Sequence, residues 1–449
     1  MGKIFGTDGV RGIVNTGELT CDLAMRIGQA ASSVLTSHAN HKAKIIIGKD
    51  TRVSSDMLVA ALTAGICSVG SDAYLIGAVP TPAVAYLVKK YNADAGVMIS
   101  ASHNPAEFNG IKLFSSEGYK LGDDIENEIE ELIESGRCPL SVGTEVGRIY
   151  HLDDTANADY IDHLVSTVSG DLSGMKIAVD CANGSAAATA EKLFARLGVK
   201  AYVIADKPDG ININKDCGST EMDRLSRFVQ DNNLDAGIAF DGDADRCLAV
   251  DENGGMVDGD KIMAILAKSL SDKGRLAKNT VTVTVMSNLG FYRFAEAHGI
   301  NAVKTKVGDR YVLENMLENG YVLGGEQSGH IIFGDYCSTG DGQLSAIQLL
   351  SVLKEKGCKM SELAAIMKRY PQTMQNITAS DDMKKALDSD NEIKAYIKSV
   401  EDKLGNSGRV LVRASGTEPL IRVMAECADQ ETADKTVKSI CDKIKERLE

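Results

Sequence analysis

Apolar and polar positions along the chain alternate between two periods. Short β-branched runs such as Lys44-Ile45-Ile46-Ile47-Gly48 and Asp94-Ala95-Gly96-Val97-Met98-Ile99 predict buried strands. Between such runs the spacing is helical. Ile125, Ile129, Leu132 and Ile133 share one helix face behind Asp123-Asp124, whose charges suit a helix N-terminus, and Cys138-Pro139 ends the pattern. A second unit opens at Met175. Lys176 to Asp180 reads as a strand, Cys181-Ala182-Asn183-Gly184 as a turn, Ser185 to Leu197 as a helix and Ala201 to Ile204 as the next strand. That is a βαβ unit and predicts a parallel sheet. A third unit repeats the plan with a strand from Val281 to Met286, a turn at Ser287-Asn288-Leu289-Gly290 and a helix through Ala297. The two Asn- and Gly-containing turns hint at internal duplication.

The end of the chain differs. Arg409 to Arg413 and Leu420 to Met424 read as two strands joined by a polar loop. A last helix puts Ala433, Val437, Ile440, Cys441, Ile444 and Leu448 on one face. Tyr370-Pro371-Gln372 reads as a linker before this unit. The expected fold class is α/β: three similar units with mixed, largely parallel sheets, then a smaller C-terminal α+β domain. The expected divisions are 1–153, 154–256, 257–368 and 369–449.

Composition narrows the function. With 49 Lys and Arg against 63 Asp and Glu, the 449 residues carry a net charge of −14, which disfavours nucleic acid but leaves room for a local anion pocket. No apolar run reaches the roughly 18 residues of a membrane span, and Met1 to Gly6 lacks a secretion signal's apolar core. The ten cysteines show no C-x-x-C spacing and read as free thiols, so a cytoplasmic setting is expected.

Five segments carry candidate chemistry. Asp241-Gly242-Asp243-Ala244-Asp245-Arg246 follows the apolar run Ala236 to Phe240, so three carboxylates stand where a buried strand emerges. Carboxylates at alternate positions can converge on a hard cation. The rival readings are an acidic surface turn, an EF-hand-like loop with Glu252 at its twelfth position, and a phosphatase with Asp241 as nucleophile. The EF-hand reading is weakened by Arg246 where glycine is needed. Ser100-Ala101-Ser102-His103-Asn104-Pro105 also follows a strand. It offers a hydroxyl beside His103 and Asn104, or an ordinary turn. Gly324-Gly325-Glu326-Gln327-Ser328-Gly329-His330 offers donors and acceptors suited to sugar hydroxyls, or a hairpin. Arg413-Ala414-Ser415-Gly416-Thr417-Glu418-Pro419, with Arg422 on the following strand, makes an anion nest. Phe5 to Gly12 sets three glycines around Arg11. Neither a Walker A sequence nor G-x-G-x-x-G occurs.

Together these segments, with Lys306-Val307-Gly308-Asp309-Arg310-Tyr311-Val312, resemble the α-D-phosphohexomutase superfamily over essentially the whole chain and in the same order. The resemblance implies four domains around a central cleft. It implies a phosphorylated Ser102 and one Mg²⁺ held by Asp241, Asp243, Asp245 and an oxygen of that phosphoserine. Arg11 and Arg246 would steady the phosphoryl group, with Lys112 and His103 lining its site. Glu326, Ser328 and His330 would meet the sugar. Arg413, Ser415, Gly416, Thr417 and Arg422 would clamp the non-reacting phosphate. The partner implied is a small sugar phosphate, with a homodimer as a candidate assembly. Gln327, where glucose and mannose enzymes commonly carry Met, resembles the glucosamine branch. That branch interconverts glucosamine 6-phosphate and glucosamine 1-phosphate through a 1,6-bisphosphate, towards UDP-N-acetylglucosamine and cell-wall synthesis. A glucose or mannose phosphate mutase of the same fold, the Asp241 phosphatase and a non-catalytic sugar-phosphate sensor are the alternatives. Two departures stand out: Ala414 where the family commonly has Pro, and Ala244 where it commonly has Gly. The second costs about 1–2 kcal/mol if that backbone needs a positive φ.

Overall fold

One arrangement of four strands recurs three times. The computed structural model describes residues 4–6, 9–17, 19–37, 40–415 and 419–448. In the first repeat the strands are Lys44–Lys49, Asp72–Ala78, Ala95–Ile99 and Phe108–Ser115. In the second they are Lys176–Asp180, Lys200–Ile204, Ala236–Phe240 and Cys247–Asp251; in the third, Thr280–Thr284, Asn301–Thr305, Leu323–Gly325 and Ile331–Phe333. Each repeat has the spatial order second, first, third, fourth, the first three strands parallel and the fourth antiparallel. A helix links first to second strand and another links second to third, as parallel neighbours require. The first sheet gains Val10–Ile13 and Ile149–His151 at its edges, and the second gains Met256–Val257.

This topology decides where chemistry can sit. The third and fourth strands are antiparallel neighbours, so a short loop joins them at the carboxyl end of the third, beside the point where strand order reverses. Ligands of open α/β sheets gather there. Residues 100–107, 241–246 and 326–330 occupy that one position in the three repeats. The duplication expected from the turns is therefore visible as topology, and the mixed sheets agree with the expected fold class.

The strands read from β-branched runs are present, with ends moved by one to three residues. The helix expected from Ser185 to Leu197 is instead a 3₁₀ turn, Ser185–Ala188, and an α-helix, Ala190–Arg196. The tight turn lets Ser185 N–H donate to Gly242 O at 2.8 Å, and Thr189 at the break hydrogen-bonds Gln343 at 3.1 Å. Local spacing could not reveal that tertiary demand.

The chain forms two compact units. The first holds Met1–Met286 and Gly299–Ile366; the second holds Ser287–His298 and Met367–Glu449. In the second, an antiparallel sheet of Gln372–Thr378, Leu420–Cys427 and Gly408–Ala414 packs against the helix Gln430–Leu448. Val437, Ile440, Cys441 and Ile444 are buried with Ile421, Val423 and Ala425, as the helical spacing predicts. No helix among the described residues is long and apolar enough to cross a membrane.

Candidate active site

Ser102 and the three aspartates meet in the first unit. Ser102 is 2% exposed and donates from Oγ to Asp241 Oδ2 at 2.6 Å. Asp241, Asp243 and Asp245 are buried, and one oxygen from each lies within 4.8 Å of the others. Burial first, then Asp245 and Asp243, pushes the Asp241 carboxyl well above the usual carboxylate range. Three buried carboxylates this close together suit a divalent cation, which would supply their counter-charge. All donors are oxygens, the preference of Mg²⁺ or Ca²⁺ rather than a soft metal.

Cations frame the cluster. Lys112, on the fourth strand of the first repeat and 2% exposed, places Nζ 2.9 Å from Asp243 Oδ2 and 3.6 Å from Asp245 Oδ2. Asp243 Oδ2 also accepts from Thr81 Oγ1 at 2.6 Å. Arg246 donates its backbone N–H to Asp241 Oδ1 at 3.1 Å. Burial opposes the charge of its guanidinium, but Asp241, Asp245, Glu326 and Asp243 outweigh that and hold it charged. His103 Nδ1 lies 3.3 Å from Ser102 Oγ. Burial, then Arg246 and Arg11, pushes the His103 imidazole down to about 4. The site is thus rich in fixed positive charge, and its histidine is neutral near pH 7. Arg11 is exposed on the edge strand and reaches Asn104 Oδ1 at 3.1 Å.

The third repeat's loop joins this cluster. Arg246 and His330 form an antiparallel bridge, and Cys247 N–H donates to Gly329 O at 3.0 Å. Gly329 is required here: its φ is +94°, and a Cβ would stand 2.3 Å from Cys247 O. Gly242 is required for the same reason of approach, since a Cβ would meet Ser102 O at 2.5 Å. Glu326 accepts from Gly308 N–H at 3.2 Å. Gly340 N–H donates to His330 Nε2 at 3.2 Å, which leaves the His330 proton on Nδ1. His330 Nδ1 and Ser328 Oγ are buried atoms with no hydrogen-bond partner among the described residues, an arrangement that suits a polar ligand.

In the second unit Arg413 and Arg422 are direct cross-strand partners, and Ser415 N–H donates to Leu420 O at 2.8 Å. Burial, then Arg422, lowers the Arg413 pKa. Two guanidinium groups in that register favour an anion between them. Gly416 and Thr417 lie outside the described residues.

The EF-hand-like reading fails. The acidic loop joins two antiparallel strands, and Glu252 is bound to Ser361, its Oε2 accepting the backbone N–H at 3.1 Å. Sequence reasoning also missed Asp50, Arg52, Thr81 and Asn214, which hold the serine and aspartate loops in place. Asp50-Thr51-Arg52 had the same signature as the acidic loop, charge directly after a buried strand.

Family models for phosphoglucomutase/phosphomannomutase match in order: alpha/beta/alpha domain I over residues 2–138, domain II over 158–255, domain III over 258–370 and the C-terminal domain over 374–443. The chain belongs to the phosphoglucomutase/phosphomannomutase family. Within it, the chain is 54% identical to the phosphoglucosamine mutase of Acetivibrio thermocellus over 450 residues, covering all of both chains. Identity to the phosphoglucosamine mutase of Clostridium acetobutylicum is also 54%, over 449 residues and all of both chains. Among solved structures, a family protein of Burkholderia thailandensis superposes with a TM-score of 0.82 at 23% identity, covering 98% of this chain and 96% of that one. N-acetylphosphoglucosamine mutase of Aspergillus fumigatus, solved with GlcNAc-6P and magnesium, superposes with a TM-score of 0.68 at 18% identity, covering 99% and 96%. At those identities the likeness is one of fold.

Proposed function

We propose that the protein is a phosphoglucosamine mutase, an isomerase that interconverts glucosamine 6-phosphate and glucosamine 1-phosphate with Ser102 as phosphoryl carrier. The observation that carries this reading is the buried Ser102 hydroxyl on Asp241 at the edge of a three-carboxylate cluster. A lone activated serine does not need three acids beside it; a phosphoserine whose charge is balanced by a cation does. The full-length relatives named phosphoglucosamine mutase support the choice of substrate.

In this reading Asp241, Asp243 and Asp245 hold one Mg²⁺ together with a phosphoserine oxygen. When bound, the ion supplies a Lewis acid that polarises the phosphoryl group. Arg246, Arg11 and Lys112 offset the charge on the transferring phosphoryl group, while neutral His103 sits beside Ser102 without adding charge. Glu326, Ser328 and His330 meet the sugar's hydroxyl edge. Arg413, Ser415, Gly416, Thr417 and Arg422 take the phosphate that is not reacting. Ser102 gives its phosphoryl group to the free hydroxyl, making glucosamine 1,6-bisphosphate. The sugar then reverses and returns its other phosphate to Ser102. The divisions 1–153, 154–256, 257–368 and 369–449 would each bring one of these loops. Ten free cysteines support a reducing, cytoplasmic setting.

Intact-mass spectrometry with an isomerisation assay tests the reading. Active protein should carry one HPO₃ increment that Ser102→Ala removes, with isomerisation lost. kcat/KM should favour glucosamine 1-phosphate over glucose and mannose 1-phosphates by about tenfold or more, or about 1.4 kcal/mol. Active protein without phosphate on Ser102 would falsify the carrier role. Equal turnover of the neutral sugars would move the protein to the glucose/mannose branch, and net phosphate release would favour the phosphatase reading.

A further inference from the structure

We infer that Arg52 is the positioning residue that aims the carrier serine; the inference rests on the mutase reading above. Ser102 has φ +51°, a left-handed conformation that L-residues with a Cβ disfavour. Something must impose it. The Arg52 side chain is entirely buried and all five of its N–H groups are engaged. Nε donates to Asp50 Oδ2 at 2.8 Å. Nη2 donates to Ser102 O at 2.9 Å and Asn104 O at 2.8 Å. Nη1 donates to Phe108 O at 3.0 Å and to Pro105 O. Three of the five donors therefore hold carbonyls of the serine loop itself, and a fourth holds that of Phe108, where the next strand begins.

Asp50 completes the grip from the other side of the same residue. Its Oδ2 accepts from Ser100 Oγ at 2.7 Å, and that hydroxyl oxygen accepts Ser102 N–H at 2.9 Å. The ion pair thus holds Ser102 directly by its carbonyl and, through Ser100, by its amide. Each charge-assisted bond contributes enough to outweigh the cost of the left-handed residue. With every donor engaged on Asp50, the loop or Phe108, Arg52 acts on the chemistry only through the placement of Ser102. A lysine keeps the charge but, as a compact point donor, cannot span four carbonyls. Asn214, from the second repeat, shares two of them, donating to Ser102 O at 2.9 Å and Asn104 O at 3.1 Å.

The test uses the full chain with Arg52→Lys and, as a second variant, Asn214→Ala. Circular dichroism fixes the folded fraction, and steady-state isomerisation gives kcat and KM. A crystal structure of each variant gives the Ser102 backbone. Arg52→Lys should lower kcat about 100-fold, the effect of misplacing a reacting group by about 1 Å, with KM for glucosamine 1-phosphate unchanged. Ser102 should leave positive φ and its Oγ should leave Asp241. Asn214→Ala should lower kcat in the same direction by less. Unchanged kcat, a loss that matches the unfolded fraction, a rise in KM alone, or Ser102 still at positive φ on Asp241 would overturn the inference. If Arg52→Lys does not fold, Arg52→Gln, which can reach only part of the four carbonyls and buries no charge, decides by the same criteria. Failure of the mutase reading looks different: the wild type would not isomerise the sugar phosphate. The crystallographic comparison still decides the placement of Ser102 in that case.

Discussion

Two residues at the carboxylate cluster hold backbone conformations that side chains disfavour. Ser102 has φ +51° and Ala244 has φ +55°. For Ser102 the strain aims a hydroxyl. For Ala244 the methyl brings no reactive group to the site. The residue is fully buried, its N–H donates to Asp241 O at 3.1 Å and its carbonyl accepts Gly342 N–H at 3.0 Å. Ala244→Gly should therefore leave stability unchanged or raise it by up to about 1 kcal/mol, since relief of strain slightly exceeds the added chain entropy. Denaturant unfolding measures this; a loss above about 1 kcal/mol would show that the methyl's packing dominates. Ser102 and the aspartates could be singled out from sequence because each follows a buried strand with an abrupt run of polar residues. Arg52 and Asn214 escaped because, Asp50 apart, their partners are main-chain carbonyls, which leave no trace in side-chain pattern.

At the level of elements, helix Gly342–Lys356 begins on a buried acid. Asp341 is its N-cap, accepting Leu344 N–H at 2.9 Å and Tyr160 Oη–H at 2.8 Å. Burial nevertheless pushes its carboxyl up to about 7. The folded state then binds a proton that the unfolded state releases near pH 4, so this group's contribution to stability is present at low pH and is lost as pH rises towards 7. Asp341→Asn keeps the cap without the charge. It should be more stable than the parent at pH 8, by a few kcal/mol at most, and the difference should shrink towards pH 5 in thermal unfolding. A constant difference across that range would contradict the assignment. The cross-strand pair Arg413 and Arg422 makes the second element-scale expectation. Arg413→Ala should raise KM and lower kcat/KM about 10- to 150-fold for both sugar phosphates, the worth of one charged hydrogen bond of roughly 1.5–3 kcal/mol. Unchanged kinetics would remove Arg413 from the phosphate clamp.

Across the whole molecule, one strand order places three loops at equivalent points. The alternation of strand and helix was legible because periods of two and of about 3.6 residues differ plainly. The fourth strand's reversal was not, because an antiparallel and a parallel neighbour have the same apolar run. The convergence of the acids makes a further prediction. Mg²⁺ should raise the thermal midpoint in proportion to log concentration once it exceeds its dissociation constant, because it binds the folded chain only. Asp243→Asn should abolish most of that shift. A wild-type midpoint insensitive to Mg²⁺ and to chelation would remove the metal from the site.

The helix Leu289–Ala297 has a consequence for how the chain can be cut. It lies in the third repeat by sequence but in the second compact unit by packing. Asn288 Nδ2 and Leu289 N–H both donate to Glu426, and Arg293 donates to Asn406 O at 2.9 Å. A stop codon after residue 368 would therefore not release a neat three-domain fragment; it would strip this helix of its partners. The complementary fragment, 369–449, would keep the Arg409 ion pair to Glu426 but lose the Asn288 and Leu289 donors, and should express poorly alone. Supplying residues 287–298 in trans, or splicing them ahead of residue 369 with a short glycine-serine tether, should restore its cooperative unfolding.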